Sequence, residues 1–349
     1  MQNPLTQADK ALLTLRRDGY DPFIDFVKGV CIVLVVLTHC LPDIVQFYVL
    51  FPLWGRPAVP LFLIIQVFHT YKKGLDVADT NYRRMWQRIV KPFLVTELVI
   101  FILCATMIMT IGDHNWSSLI QQTITKAGLG PGAYYPWIYV QFAILLPLIA
   151  PLFKRLKGIW LAVTFILVCE LIEILCSVTK MPEELYRLLF LRYLFLAYLG
   201  YVLVFKGYLM SWRIVFLSAI SIVATLFLVY SDINLSPFVY DSYGWKTCHW
   251  VCYFYIAYLM MWMLKWVDKK TGVFTSWNGY MKKLGRYSYE IFLFQMLYFA
   301  VFHGVLVESL FLYIPSMVVV QMIVIVFALV ICIVPVVAYK DRKKVKSPV

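Results

Sequence analysis

Apolar runs of roughly twenty residues recur along the whole chain, and this feature limits the possible folds more than any other. A helix needs about 17–25 such residues to cross a bilayer. Only helices and closed barrels satisfy their own backbone groups in hydrocarbon, so runs of this length indicate transmembrane helices. Charged residues make up 15% of the sequence, against about a quarter in a soluble domain. The sequence therefore predicts an all-α, polytopic integral membrane protein.

About ten windows of this kind can be placed. The predicted spans are 24–42, 57–71, 89–111, 135–153, 159–178, 187–205, 212–230, 247–267, 287–306 and 310–338. They form a single membrane domain over 1–349, with a polar N-terminal segment at 1–22 and a basic tail at 340–349. Because the N-terminal segment has neither an apolar stretch nor a small-residue cleavage site, we expect the first span to be retained as an anchor.

The net charge of +13 is explained by membrane topology. Most of the 32 lysines and arginines lie in alternate connections between the predicted spans, including the basic segments 72–91 and 265–286, both interpreted as inner loops. By the positive-inside rule, this distribution places both termini in the cytoplasm. The same charge attracts anionic membrane lipid. A nucleic-acid partner is therefore not predicted.

No metal site is predicted either. The sequence CHWVC at 248–252 has the spacing of a helix face, but it offers too few ligands for a structural metal ion. Most of the eight cysteines lie within apolar runs, where cysteine behaves as a small hydrophobic residue. The spacing of the cysteines shows no disulfide framework.

The first span keeps three ionisable residues, Asp25, Lys28 and His39, in the sequence FIDFVKGVCIVLVVLTHC at 23–40. Such residues are costly in hydrocarbon and usually have a function. At about 100° per residue they share one helix face, with Lys28 and His39 about 16 Å apart along the axis. Lys28 could simply extend to the inner headgroups. His39 could be a structural residue satisfied by a neighbouring helix, or a group that exchanges protons near neutral pH.

A basic stretch opens the third span. Arg84 and Arg88 are four residues apart on one helix face, and Lys91 lies one turn further. Guanidinium groups match phosphate well, although juxtamembrane charge of this kind also follows from topology alone.

The fifth span contains two acidic residues, Glu170 and Glu173, and Arg192 follows at the start of the sixth. Two interpretations remain open. The residues could form a structural ion pair, or they could bind sugar hydroxyls or relay protons.

Five stretches together resemble one known family, the membrane acyltransferase family 3. The first span resembles its opening signature of Asp, two residues, Arg or Lys, Gly, an apolar run and His. The other stretches, in the family's order, are RPAVPLFLIIQVF at 56–68, RRMWQRIVKPFLV at 83–95, LRYLFLAYLGYVL at 191–203 and RYSYEIFLFQML at 286–297. With about ten spans, the resemblance covers nearly the whole chain.

This resemblance implies an O-acyltransferase of the bacterial inner membrane. Such an enzyme moves an acyl group, often acetyl, from acyl-CoA to a carbohydrate hydroxyl. Acyl-CoA is then a co-substrate, and no cofactor is bound permanently. The resemblance makes His39 the general base and includes Asp25 in the catalytic set. Asp25 is too far along the helix to orient His39, so we expect it to pair with Lys28 or an arginine.

The remaining site residues divide into two groups, of which the first follows from the resemblance and the second from the polar residues of the fifth and sixth spans. Lys28, Arg84, Arg88 and Lys91 would hold the CoA phosphates on the cytoplasmic side. Glu170, Glu173 and Arg192 would contact the carbohydrate acceptor.

The sequence departs from the family pattern at three places. The family's two arginines three apart would require an arginine at Met85 if Arg88 is the second, and Arg84 could substitute for it. The family's Ser-Gly pair in the second span is replaced by Gln66 and Val67. The histidine common in its ninth span is replaced by Gln295.

Two rival functions remain. A proton-coupled transporter or flippase of a glycan intermediate would use His39, Glu170 and Glu173 as a proton pathway. A non-catalytic scaffold of polysaccharide assembly would need none of these residues for chemistry. Transporters often contain internal repeats, and none is detectable here. The identity of the acceptor and of the acyl group, and the oligomeric state, stay open.

Overall fold

The computed structural model describes most of the chain. The described residues are 22–72, 82–111, 116–155, 158–205, 212–231, 233, 235–242, 244–269, 275–314 and 316–346. Nearly all of the predicted polar segment 1–22 and the end of the basic tail lie outside these ranges. Within them, the chain is helical and contains no strand.

Thirteen α-helices of ten or more residues occur in the described ranges. They are α1 Pro22–Cys40, α2 Ala58–Lys72, α3 Lys91–Ile111, α4 Trp116–Thr125, α5 Tyr134–Arg155, α6 Gly158–Val178, α7 Leu194–Phe205, α8 Trp212–Tyr230, α9 Tyr253–Lys269, α10 Thr275–Arg286, α11 Ser288–Leu297, α12 His303–Tyr313 and α13 Met317–Lys346. Shorter helical elements are Asp43–Tyr48, Phe51–Trp54, Tyr82–Met85, Glu183–Tyr186, the π-helices Trp86–Val90 and Tyr298–Phe302, and the 3₁₀ turns Phe190–Tyr193, Lys246–Cys248 and Trp250–Cys252.

Eight helical segments of the described chain are long and apolar enough to cross a membrane. Two shorter apolar segments, Phe190–Leu203 and Trp250–Leu264, lie where the sixth and eighth spans are predicted. The prediction of an all-α, multi-pass membrane protein is confirmed. The count of ten spans and the cytoplasmic position of both termini stay predictions.

Burial separates the central helices from the peripheral ones. In the segment Phe51–Tyr71, 72% of the most apolar window is buried inside the protein, against 17% in Tyr82–Thr110. Segment Phe23–Cys40 is also largely interior. The first two spans therefore form the centre of the bundle, while the third presents most of its surface outward.

The predicted boundary between the last two spans is wrong. The ninth span is predicted to end at 306 and the tenth to begin at 310, but the helix continues to Tyr313 and the next begins at Met317. The charge of Glu308 suggests a connection, yet the sequence contains no helix-breaking residue before Pro315. The tenth span is therefore shorter at its start than predicted.

The basic segment 265–286 is not only a loop, because its second half forms the helix α10. This helix packs backbone to backbone against α1 at two glycines. A Cβ atom on Gly285 would lie 1.6 Å from the carbonyl oxygen of Asp25, and one on Gly29 would lie 1.9 Å from that of Met281. Small residues allow such close approach between helices. The glycine after Lys28 thus has a packing reason.

We predict that Gly285→Ala destabilises the protein, because the added methyl group meets backbone that cannot rotate away. Overpacking of this kind costs about 1–3 kcal/mol or more. The matched control is Gly279→Ala on the same helix, since nothing lies within 4 Å of a Cβ there. Thermal unfolding in detergent should show a lower midpoint for Gly285→Ala alone. Equal midpoints for the two variants would contradict the close packing of α1 and α10.

Candidate functional site

A cavity of about 780 Å³ lies among the central helices and is lined from both ends of α1. Lys28, Arg84 and Arg88 line one part of it, which we call the Lys28 end. His39 lines it further along α1, and Arg56 and Arg187 line the part that we call the Arg187 end. The cavity is within the volume range of small-molecule sites.

Helix α1 supplies both ends of this site through one face. Lys28, Val35 and His39 all line the cavity, as the helical spacing predicts. Asp25 does not line it. This aspartate is buried, and its Oδ1 lies 3.4 Å from the Lys28 Nζ. The predicted pairing of Asp25 with Lys28 is therefore present in the structure.

The last turn of α1, which carries His39, is held by two glutamines. The Gln46 side-chain amide donates to the carbonyl oxygens of Thr38 at 3.0 Å and Leu41 at 2.7 Å. The Gln321 amide on α13 donates to the Cys40 carbonyl. The last carbonyls of a helix have no partner within the helix, so these bonds satisfy them and fix the end of α1.

The His39 imidazole faces the cavity and packs on an aromatic ring. The centroid of Phe299 lies 5.5 Å from the His39 ring, and the ring of His303 lies 4.8 Å from Phe299. Among the residues that the structure describes, none is hydrogen-bonded to the His39 imidazole. A half-buried imidazole of this kind is available to exchange a proton with a molecule in the cavity.

The Arg84 and Arg88 pair is presented to the cavity by an unusual turn. Residues Trp86–Val90 form a π-helix between Tyr82–Met85 and α3. A π-helix has more residues per turn than an α-helix and occurs often at functional sites. Arg84 precedes this π-helix and Arg88 lies within it, and both arginines line the cavity. Lys91, the first residue of α3, is exposed and is not among the lining residues.

A glycine-rich loop, residues 127–133, closes one wall of the cavity through Pro131 and Gly132. The carboxylate of Glu97 accepts a hydrogen bond from the Leu129 amide at 2.8 Å, and the Gln295 amide donates to the Pro131 carbonyl at 3.1 Å. Gly132 has φ +89°, a conformation that favours glycine. Non-helical backbone at membrane depth is tolerated where it is buried or lines a cavity.

Glu173 and Arg192 form a buried cluster that is not part of the cavity lining. The Arg192 Nε lies 3.8 Å from Glu173 Oε1, and the guanidinium stacks 3.7 Å from the Tyr186 ring. The Tyr186 hydroxyl donates to both carboxylate oxygens at 2.7 Å. Burial raises the pKa of this phenol well above its ordinary value, so it stays a donor. Of the two interpretations left open by the sequence, this geometry corresponds to the structural ion pair.

Glu170 also lies outside the residues that line the cavity. Its Oε2 accepts a hydrogen bond from the Trp250 indole at 2.6 Å and lies 3.5 Å from the Nε2 of His249. The acceptor-binding role of Glu170, Glu173 and Arg192 stays a prediction.

Sequence reasoning missed the Arg187 end of the cavity. Arg56 immediately precedes the second predicted span, Arg187 begins the sixth, and Trp245 lies just before the eighth. The glycines of 127–133 are the one signal that could have marked this region, because so many glycines disfavour a helix. In the described part of the chain, no group of three or more His, Cys, Asp or Glu side chains could hold a metal ion.

The chain matches a known protein family. Residues 21–337 match the family model described as an acyltransferase domain. No curated protein and no solved structure matches the chain. The matched range covers nearly all of the sequence and includes every residue placed at the cavity above.

We predict that Glu173→Leu strongly destabilises the protein, because it leaves the buried Arg192 guanidinium without its countercharge. Breaking a buried pair in this way costs about 3–5 kcal/mol. Adding Arg192→Leu should restore part of the loss, since the uncompensated charge is then removed. Glu308→Gln, at an exposed site with no partner among the described residues, is the control. An unchanged unfolding midpoint for Glu173→Leu in detergent would contradict a structural role.

Proposed function

The chain belongs to the acyltransferase 3 family, and from this premise we propose that it is a membrane O-acyltransferase. It transfers an acetyl or related acyl group from cytoplasmic acyl-CoA to a hydroxyl of a cell-surface or lipid-linked carbohydrate. The observation that carries the proposal is the cavity with cations at the Lys28 end and His39 further along the same helix face.

The Lys28 end suits the phosphates of the donor. Lys28, Arg84 and Arg88 all face the cavity there, and guanidinium forks bind phosphate oxygens in a bidentate manner. The Tyr289 hydroxyl donates to the Ile89 carbonyl at 2.7 Å, and both residues line the cavity. This bond ties α11 to the π-helix that presents the arginines. Lys91 lies outside this set, so its contact with CoA would need a different approach of the phosphates.

The length of the cavity suits an extended thioester arm. Lys28 and His39 are separated by eleven residues, or about 16 Å along a helix axis. A donor whose phosphates bind at the Lys28 end would extend its thioester along this face towards His39. The acceptor hydroxyl would approach from the Arg187 end, so donor and acceptor would enter from opposite sides.

His39 acts as the general base in this mechanism. Its neutral imidazole takes the proton of the acceptor hydroxyl as the oxygen attacks the thioester carbonyl carbon. The tetrahedral intermediate collapses, the carbon–sulfur bond breaks, and the CoA sulfur receives the proton from the imidazolium. The products are the carbohydrate ester and free CoA. Asp25 takes no direct part in proton transfer and acts by pairing with Lys28, whose Nζ lies 3.4 Å from its Oδ1.

The direction of transfer implies a location. With both termini in the cytoplasm, the Lys28 end faces the cytoplasm, where acyl-CoA is made, and the Arg187 end faces outward. This orientation fits the inner membrane of a bacterium.

The rival transporter is less well supported by the geometry. Its proton pathway requires His39, Glu170 and Glu173, but the two glutamates are engaged with Trp250 and Tyr186 and do not line the cavity that His39 faces. A continuous path between the three is therefore not evident among the described residues.

We predict that His39→Gln abolishes most acyl transfer while leaving CoA binding intact. Loss of a general base reduces the rate by about 10²–10⁴-fold. The measurement is release of CoA thiol from acetyl-CoA by purified protein in nanodiscs, together with stabilisation by CoA against thermal unfolding. Turnover equal to that of the wild type would show that His39 is not the base.

We predict that Arg84→Gln and Arg88→Gln each weaken CoA binding about tenfold or more, because each removes a charge-assisted contact to phosphate. Arg83→Gln is the matched control, since Arg83 is exposed and adjacent but does not line the cavity. Binding is measured by titration with CoA and with dephospho-CoA. If Arg83→Gln weakens binding as much as the other two, general surface charge and not a defined site holds the donor.

A further inference from the structure

The Arg187 end of the cavity is basic, although the donor phosphates are assigned to the opposite end. Arg56 and Arg187 line it together with one acidic residue, Asp43. Arg56 donates to the Asp43 carboxylate at 2.9 Å and to the Gln46 side-chain oxygen at 3.0 Å. Asp43 is therefore engaged by Arg56 and does not offset the charge of Arg187.

Arg187 has no countercharge among the described residues. Its Nη2 donates to the Lys126 carbonyl at 3.0 Å, and the guanidinium lies 5.6 Å from the centroid of the Tyr134 ring. Its Nε is buried and has no hydrogen-bond partner. A buried donor of a cationic group that remains unsatisfied is costly unless a ligand satisfies it.

A second cation lies behind the same wall. Arg192 is fully buried, and its guanidinium is 5.3 Å from the ring of Trp245, which lines the cavity. Its Nε faces Glu173 at 3.8 Å, but Nη1 and Nη2 have no hydrogen-bond partner. Both arginines therefore retain unused donors close to this end of the cavity. Positive charge with low-dielectric walls attracts anions from solution.

We propose that the Arg187 end binds an oxyanion carried by the acceptor, a carboxylate or a phosphate near the hydroxyl that receives the acyl group. The inference rests on the proposed function, because it assigns a class of acceptor to that enzyme. Arg187 supplies the charge and the directed donors, since its planar fork matches both kinds of oxyanion. Arg192 lies behind Trp245, but its charge is offset by Glu173 and adds no net charge to this end. Neutral glycans leave these donors unsatisfied and are the poorer acceptors.

The test is equilibrium dialysis of the purified full chain with three radiolabelled probes that differ only at carbon 6. They are methyl β-glucoside, methyl β-glucuronide and the 6-phosphate of methyl β-glucoside. At least one anionic probe should bind about tenfold more tightly than the neutral one, as expected for a charge-assisted contact. The identity of that probe distinguishes a carboxylate acceptor from a phosphate acceptor.

Variants locate the site. Arg187→Gln should abolish the preference for the anion, and Arg187→Lys should retain part of it. Lys180→Gln, an equal change of charge at an exposed residue off the cavity at the end of α6, should have no effect. The proposal is overturned if no probe binds, if the probes bind equally, or if the preference survives in Arg187→Gln. It is also overturned if Arg88→Gln, and not Arg187→Gln, abolishes the preference, because the anion then binds at the donor end.

The outcome is separable from that of the proposed function. Dialysis reports on the anion site and needs no acyl transfer, whereas CoA thiol release from acetyl-CoA reports on the enzyme. An anion preference lost in Arg187→Gln, in a protein that releases no CoA, would mean that the site exists but the acyltransferase assignment is wrong. CoA release without any anion preference would mean that the acyltransferase assignment is right but the anion site does not exist.

Discussion

Charged side chains can remain inside hydrocarbon only if they face an internal cavity or one another, and this constraint shapes the whole protein. The structure uses both solutions. Lys28 and Arg187 face the cavity, whereas Glu173 and Arg192 neutralise each other beside it. The same constraint applies to the backbone, and Glu97 accepts a hydrogen bond from the Leu129 amide of the non-helical loop 127–133. The polar groups within the helical bundle thus lie at the cavity or in pairs beside it.

Helix α1 is the element on which the proposed chemistry depends, because it spans the distance between donor and acceptor. Its beginning is held against α10 by the close contact at Gly285. Its end is held by the side chains of Gln46 and Gln321, which satisfy the last carbonyls. A helix fixed at both ends keeps the distance and relative orientation of Lys28 and His39 constant. The acceptor hydroxyl and the donor thioester react efficiently only if the protein holds the two molecules in a fixed geometry.

The residues that share a helix face can be predicted from local periodicity, whereas contacts between distant segments cannot. The common face of Lys28 and His39 is fixed by residue spacing, which a sequence displays directly. The common face of Arg84 and Arg88 also follows from their spacing, whereas the π-helix Trp86–Val90 has no comparable sequence signal. The polar residues of α10 do not suggest a buried helix. Its close packing on α1 depends on Gly29 and Gly285, and no local sequence pattern reveals that these two glycines meet. Arg187 reaches the cavity through contacts between distant segments, which a single sequence does not encode in its spacing.

In the proposed mechanism, one cavity holds the acyl donor from the Lys28 end to His39. The most direct measurement is a cryo-electron microscopy structure of the protein in nanodiscs with CoA bound. We expect the CoA phosphates beside Lys28, Arg84 and Arg88, with the pantetheine arm along α1 and the thiol directed at the His39 imidazole. CoA bound outside the cavity, or inside it with the thiol directed away from His39, would show that the cavity does not serve this reaction.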